Sequence, residues 1–228
     1  MKLRIFYRHY NISGNDIKRN LTWFDYESCF KNLLSTIQND PRVELHVIMD
    51  GDIKNNWIET YSNQFILHQI TAGNDYQSFI QTYSYARDIS TNIEDLFYFL
   101  ENDYLHVHGW VEKVFELFST YRGLDYISLY DHNDKYFLSM YDDLVSKIFT
   151  TNSHHWRTTP STCGTYIVNK KVFLEDYDVP FQMSGDHHKF IFLNQTKGRF
   201  VYTPIPGLST HCMEGLLSPT INWEKEAI

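Results

Sequence analysis

The chain has 228 residues, 43% hydrophobic and 17% aromatic, with a formal net charge of -8. That length holds one α/β domain with a full core and does not require a second, and the acidic balance excludes long-range attraction to nucleic-acid phosphates or to an anionic membrane. The first apolar run is short and interrupted by arginines, so neither a leader nor a membrane span is expected; with three scattered cysteines, Cys29, Cys163 and Cys212, a soluble cytoplasmic protein in a reducing compartment is predicted.

In chain order, "LRIFYR" reads as a strand and is followed by a turn-rich stretch containing Gly14. "YESCFKNLLSTIQN" has apolar residues at helical spacing behind Asp25, a candidate cap. "VELHVIMDG" is a second strand ending at Asp50 and Gly51, "NNWIETYS" a short helix and "QFILHQI" a third strand. "DYQSFIQTYSYARDIS" is a helix opened by Gly73, Asn74 and Asp75, and "DLFYFLEND" is the fourth strand. This alternation predicts right-handed crossovers and a single Rossmann-like, mostly parallel sheet flanked by helices. Ligands of such sheets bind at the carboxyl ends of the strands.

Beyond it, "GWVEKVFELFSTYRG" predicts a helix closed by Gly123, and "DYISLYDHNDKY" a strand running into a polar turn. "SKIFTTNSHHWRTTPSTCGTYIV" predicts an irregular β region. "NKKVFLEDY" and "SGDHHKFIFLNQTKG" read as helices, the second from Ser184 as cap to Gly198, and "RFVYTPI" as a last strand before the tail. No repeat or Pro/Gly linker divides the chain, so residues 1–228 are read as one unit.

At the end of the fourth strand stand Glu101, Asn102 and Asp103. On an extended backbone Glu101 and Asp103 point to one side. Two hard oxygen donors there suit Mg²⁺ or Mn²⁺, and a solvated strand end with Asp103 as a cap is the alternative. Asp50 brings a third acid to the same edge.

The run "FYFLENDYLHVHGW" resembles the acidic ExD/DxD segment of GT-A glycosyltransferases, enzymes that move a sugar from a nucleotide diphosphate donor. With "DYISLYDHNDKY" and "HWRTTPST" following in order, it is similar to a group of small bacterial and large-DNA-virus (chlorella-virus-like) glycosyltransferases. One departure is Asn102, where the family usually has an acid. The resemblance implies a GT-A fold with a nucleotide-binding half over residues 1–103 and an acceptor-binding half and metal-binding tail over 104–228. It implies Asp103 as metal ligand with Mn²⁺ or Mg²⁺, and His211 of "STHC" returning to complete the site, against a surface or packing histidine, one of eleven in the chain. Glu101 would act through water or on the sugar, and Asn102 stands where contacts to ribose or sugar are made. Tyr7, Arg8 and Asp50 would clasp the base. Arg8 as a surface ion-pair partner is the other reading.

Gly73 and Ser78, at the turn "TAGN" and one turn into its helix, could approach the ribose or sugar. Arg87 could reach the diphosphate or stand in solvent. Asp186, at a predicted helix start, is the candidate general base by the same resemblance, against the plainer role of supporting the helix dipole. His155, Trp156, Arg157 and His187 form a candidate acceptor wall, since aromatic faces stack on sugars, against a core tryptophan with surface neighbours. A zinc site from the histidines and cysteines matches no structural spacing.

The expected activity is metal-dependent glycosyl transfer from a UDP- or GDP-sugar to a glycan or small saccharide hydroxyl, with no nucleic-acid partner. A metal-dependent hydrolase or nucleotidyltransferase, or a carbohydrate-binding module with a degenerate donor site, are the alternatives.

Overall fold

A computed structural model describes residues 1–10, 21–38, 40–181 and 185–227. The turn expected at Gly14 and the cap expected at Ser184 lie outside the described residues. The strands are β1 (Leu3–Tyr10), β2 (Val43–Asp50), β3 (Ile66–Ile70), β4 (Leu96–Glu101), β5 (Tyr104–His106), β6 (Tyr126–Ile127), β7 (Ile148–Thr150), β8 (His155–Thr159), β9 (Tyr166–Asn169), β10 (Val201–Ile205) and β11 (Ser209–His211). The α-helices are α1 (Tyr26–Ile37), α2 (Asp75–Asp88), α3 (Trp110–Thr120), α4 (Lys170–Glu175) and α5 (Asp186–Lys197).

Nine strands form one sheet in the order β3-β2-β1-β4-β9-β6-β10-β8-β7. β3, β2, β1 and β4 are parallel, β9 is reversed between β4 and β6, and β8 is reversed between β10 and β7. Among the described residues, seven of the nine strands therefore point one way, with only β8 and β9 opposed. This is the expected mixed α/β class. The remaining pair, β5 and β11, forms a separate antiparallel ribbon.

Strand alternation sorts the core into two faces. Leu3, Ile5 and Tyr7 of β1 and Leu96, Tyr98 and Leu100 of β4 pack on one face with Phe30 of α1 and Trp110 of α3. Phe6, Phe97 and Phe99 pack on the other with Tyr83 of α2, Phe173 of α4 and Phe190 of α5. Caps delimit the helices as expected: Asp25 accepts from Ser28 N, Asn74 accepts from Gln77 N, and Gly198 ends α5 at φ 67°. Helix α3 stops at Thr120, earlier than Gly123, because Tyr121 is already extended. No described helix is long and apolar enough to cross a membrane.

Trp156 corrects one expectation. It is fully buried on β8, within the core that faces α1 and α3, so its indole has no face to offer an acceptor sugar. Trp156→Ala should lower the free energy of unfolding by about 3–5 kcal/mol, the usual cost of emptying a large aromatic site, measurable by urea denaturation. A loss below about 1 kcal/mol, the level of a surface change, would contradict the core role.

Candidate active site

Four parallel strands deliver their carboxyl ends to one edge, and the register decides what meets there. Arg8 pairs with Glu101 across β1 and β4, and Tyr10 pairs with Asp50 across β1 and β2. β4 is a buried apolar run up to Glu101, β1 ends in Arg8, His9 and Tyr10 and β2 in Asp50, so these polar groups gather at the rim. They line a cleft of about 620 Å³ with Arg8, His9, Asp50, Ser78, Glu101 and Asp103 in its wall, within the range of roughly 300–1,000 Å³ common for small-molecule sites.

Arg8 is the central cation. Its Nη2 donates to Glu101 Oε1 at 3.0 Å and its Nη1 to Asp75 Oδ1 at 2.8 Å. Burial opposes its charge, but the two carboxylates outweigh that and raise its pKa. Burial likewise pushes the Glu101 carboxyl upward, against the pull of Arg8. Thr165 Oγ1 donates to Glu101 Oε2 at 2.9 Å and accepts from Glu101 N at 3.2 Å, fixing the carboxylate from behind. A Cβ at Gly164 would stand 3.3 Å from Glu101 Oε1 and 3.5 Å from Arg8 Nη2, which gives a reason for glycine here.

The chain does not stay extended through Asp103. β4 ends at Glu101, and Asn102 and Asp103 form a turn into β5. The expected same-side strand geometry is therefore replaced by a turn, yet both acids line the cleft. β5 pairs with β11, setting Tyr104 opposite His211. The Asp103 carbonyl accepts from Cys212 N at 2.9 Å, and Asp103 Oδ2 lies 3.2 Å from His211 Nε2. Residues 108 positions apart are thus brought into contact by the ribbon.

No group of three or more His, Cys, Asp or Glu side chains able to hold a metal occurs among the described residues. Asp103 and His211 do offer one oxygen and one nitrogen donor side by side. The Asp103 carboxylate suits Mg²⁺ or Mn²⁺, which take one or two carboxylates and fill the other positions with phosphate oxygens and water, and the imidazole nitrogen favours Mn²⁺ over the harder Mg²⁺.

Asn102 has a physical role as an amide. Its Nδ2 lies 3.1 Å from His9 Nδ1, and His9 Nε2 lies 3.3 Å from Asn56 Oδ1. Asn56 Oδ1 can only accept, so Nε2 carries the proton and Nδ1 accepts from Asn102. An ionised carboxylate at position 102 would need a protonated His9. Burial opposes that charge and pulls the His9 pKa down to about 4.

Burial lowers His46 to about 4 and His106 to about 3 as well. All three are 2% exposed or less. The unfolded chain, with imidazoles near 6.5, takes up protons that the fold refuses. Stability should be complete above about pH 6.5 and fall as pH drops toward 4, by up to about 3 kcal/mol for each histidine. Urea midpoints at pH 7.0, 5.5 and 4.5 check this, and a flat profile would contradict it.

Beside the main cleft lies a second cavity of about 280 Å³ that shares Arg8, Asp75 and Glu101 and adds Asp186 and Lys189. Gly185 precedes α5 at φ 81°, and Asp186 is the first helical residue. Lys189 Nζ donates to Asp186 Oδ1 at 3.2 Å. Burial lowers the Lys189 pKa although Asp186 opposes the shift. His187, half-buried, points its Nδ1 at Ser161 Oγ, 2.9 Å away.

Other expected residues fall elsewhere. Tyr7 shares the parity of Leu3 and Ile5 and is 2% exposed in the core, so it cannot clasp a base. Its neighbours His9 and Tyr10 line the cleft instead. Arg87 sits twelve residues along α2 from Asp75, about 18 Å away at 1.5 Å per residue. It pairs with Asp88 and stacks over Tyr177, and it lines neither cavity. Arg157 is buried, its Nη2 bonds Asp131 at 2.7 Å, and it lines neither cavity. His155 is exposed at the start of β8 but lines neither cavity. Asp50 lines the cleft while accepting from Ala72 N at 2.7 Å and Gly73 N at 3.0 Å, and so holds the turn before α2. Gly73, at φ 73°, makes that turn, and Ser78 follows it in the cleft wall.

Tyr26, Asp75, Thr165 and Lys189 join the site without being site candidates on sequence. Asp75 was visible as the first residue after a cap, and Gly164 and Thr165 as a small-residue pair before a strand.

No protein-family model matches the chain, and a comparison with curated proteins finds no match either. Solved structures do resemble it. Residues 1–349 of S. aureus TarS superpose with a TM-score of 0.52 at 12% identity, over 89% of this chain and 58% of that one. The chain thus spans little more than half the length of that structure. A CMP:2-keto-3-deoxy-manno-octonic acid synthetase complexed with CTP superposes with a TM-score of 0.52 at 12% identity, over 89% of each chain. At this identity the likeness shows the fold alone, a GT-A-like α/β architecture.

Proposed function

We propose that this chain is a metal-dependent glycosyltransferase that moves a sugar from a nucleotide diphosphate sugar to a hydroxyl of a glycan or small saccharide. The observation that carries the reading is the meeting of Asp103 and His211 in one turn-and-ribbon corner beside a cleft at the carboxyl ends of the parallel strands. Asp186 supports it by lining a cavity that shares a wall with that cleft.

In this reading Asp103 and His211 hold Mn²⁺ or Mg²⁺. A divalent cation held there would supply positive charge to the leaving diphosphate, beyond Arg8, whose charge is already paired with Asp75 and Glu101. The nucleotide occupies the cleft between the ends of β1 and β2 and the start of α2. Arg8 and Glu101 form the wall between nucleotide and sugar. Asp186 accepts the proton of the acceptor hydroxyl as it attacks the anomeric carbon, and Lys189 keeps the carboxylate in place. His187, next to Asp186 at the start of α5, borders the acceptor side.

The test is calorimetric titration with UDP and GDP, each with Mn²⁺ and with EDTA, followed by incubation with the sugar conjugates of whichever nucleotide binds. Metal-dependent binding and release of nucleoside diphosphate support the reading. A nucleotidyltransferase is the second reading, favoured by the 89% mutual coverage with a CTP-bound synthetase. It would consume nucleoside triphosphate and release pyrophosphate.

A further inference from the structure

Resting on the donor-site reading above, we infer that the second cavity is a subsite for a neutral, hydroxyl-rich monosaccharide unit and rejects sugars bearing a carboxylate. The cavity, about 280 Å³, lies at the small end of ligand-site volumes and has room for one sugar ring. Its wall carries three carboxylates, Asp75, Glu101 and Asp186, against two cations, Arg8 and Lys189.

Both cations are already engaged. Arg8 bonds Asp75 at 2.8 Å and Glu101 at 3.0 Å, and Lys189 bonds Asp186 at 3.2 Å. They also lie deeper than their partners. The Arg8 side chain is 9% exposed against 31% for Glu101 and 86% for Asp75, and Lys189 is 3% exposed against 41% for Asp186.

An entering ligand therefore meets carboxylate oxygens first. Ionised carboxylates only accept hydrogen bonds, and sugar hydroxyls are the donors that suit them. A sugar carboxylate would face like charges with no cation left to turn toward it, an arrangement that costs binding. Phe79, in the same wall, adds an apolar surface against which a ring can lie. The fold neighbour named for an octonic acid handles an acidic sugar, so this charge pattern also bears on which of the two readings holds.

The experiment compares, by calorimetry with Mn²⁺, free UDP and GDP with UDP-glucose against UDP-glucuronic acid and GDP-mannose against GDP-mannuronic acid. The members of each sugar pair differ only at the C6 substituent. For the nucleotide that binds, the neutral conjugate should bind roughly tenfold or more tightly than the uronate. Asp186→Asn, which removes one wall charge, should narrow that gap by relieving the uronate. Equal or tighter uronate binding overturns this inference while leaving the donor-site reading standing. So does an unchanged gap in Asp186→Asn. Absence of binding by every nucleotide, free or conjugated, overturns both.

Discussion

Replacing Asp103 with alanine should reduce metal-dependent binding of a nucleoside diphosphate by at least about 100-fold, equivalent to about 2.7 kcal/mol, and leave the fold intact. The second half of that expectation is as specific as the first. The bond that anchors the tail runs from Cys212 N to the Asp103 carbonyl, and alanine keeps that carbonyl. The β5–β11 pairing uses backbone at Tyr104, Leu105 and His106. What disappears is the carboxylate beside His211. Titration of wild type and variant with Mn²⁺ and with EDTA checks this, and circular dichroism with a urea midpoint verifies the fold. Equal nucleotide affinity in both proteins, with or without metal, would remove Asp103 from the site. Binding lost together with the urea transition would show a structural role.

The second large effect concerns Asp186. Asp186→Asn should lower sugar transfer by about 10²–10⁴-fold, the usual weight of a positioned general base, with nucleotide diphosphate affinity held near the wild-type value. The separation follows from the layout. Asp186 lines the smaller cavity and is absent from the wall of the larger one, whereas Asp103 lines the larger and is absent from the smaller. Asparagine keeps the shape and an oxygen for Lys189 to donate to, so the helix start is preserved. The assay is release of nucleoside diphosphate from the conjugate that binds, in the presence of a saccharide acceptor. Transfer within a few-fold of wild type would sink the assignment of Asp186 as base.

The first half of the fold was legible because its strands are long buried runs alternating with capped helices. Asp25 and Asn74 stand where the helices begin, and Asp50 and Glu101 where strands finish. The second half was less legible because its elements are short. β5, β6 and β11 have two or three residues each, too few for a period to show. The return of His211 to Asp103 is therefore implied by the resemblance alone, and the ribbon that makes it is not visible in the pattern.

Errors of facing have another origin. Parity along β1 already placed Tyr7 with Leu3 and Ile5, and reading an aromatic near a strand end as a ligand contact ignored it. Helix length placed Arg87 a helix away from the cleft. Trp156 and Arg157 sit on a strand whose burial depends on β10 and β7 beside it, a tertiary fact that local composition does not contain.

The β5–β11 ribbon has a consequence for how the molecule comes into being. The two candidate metal donors are separated by 108 positions and share a corner only after the chain has laid down the five strands on one side of β4 and come back. Closing so long a loop is entropically slow, and contacts of this range form late in folding. A nascent chain that has emerged as far as β5 has its carboxylate and lacks its imidazole. Metal affinity should thus emerge as one of the final acts of maturation, making the corner a natural reporter of complete folding.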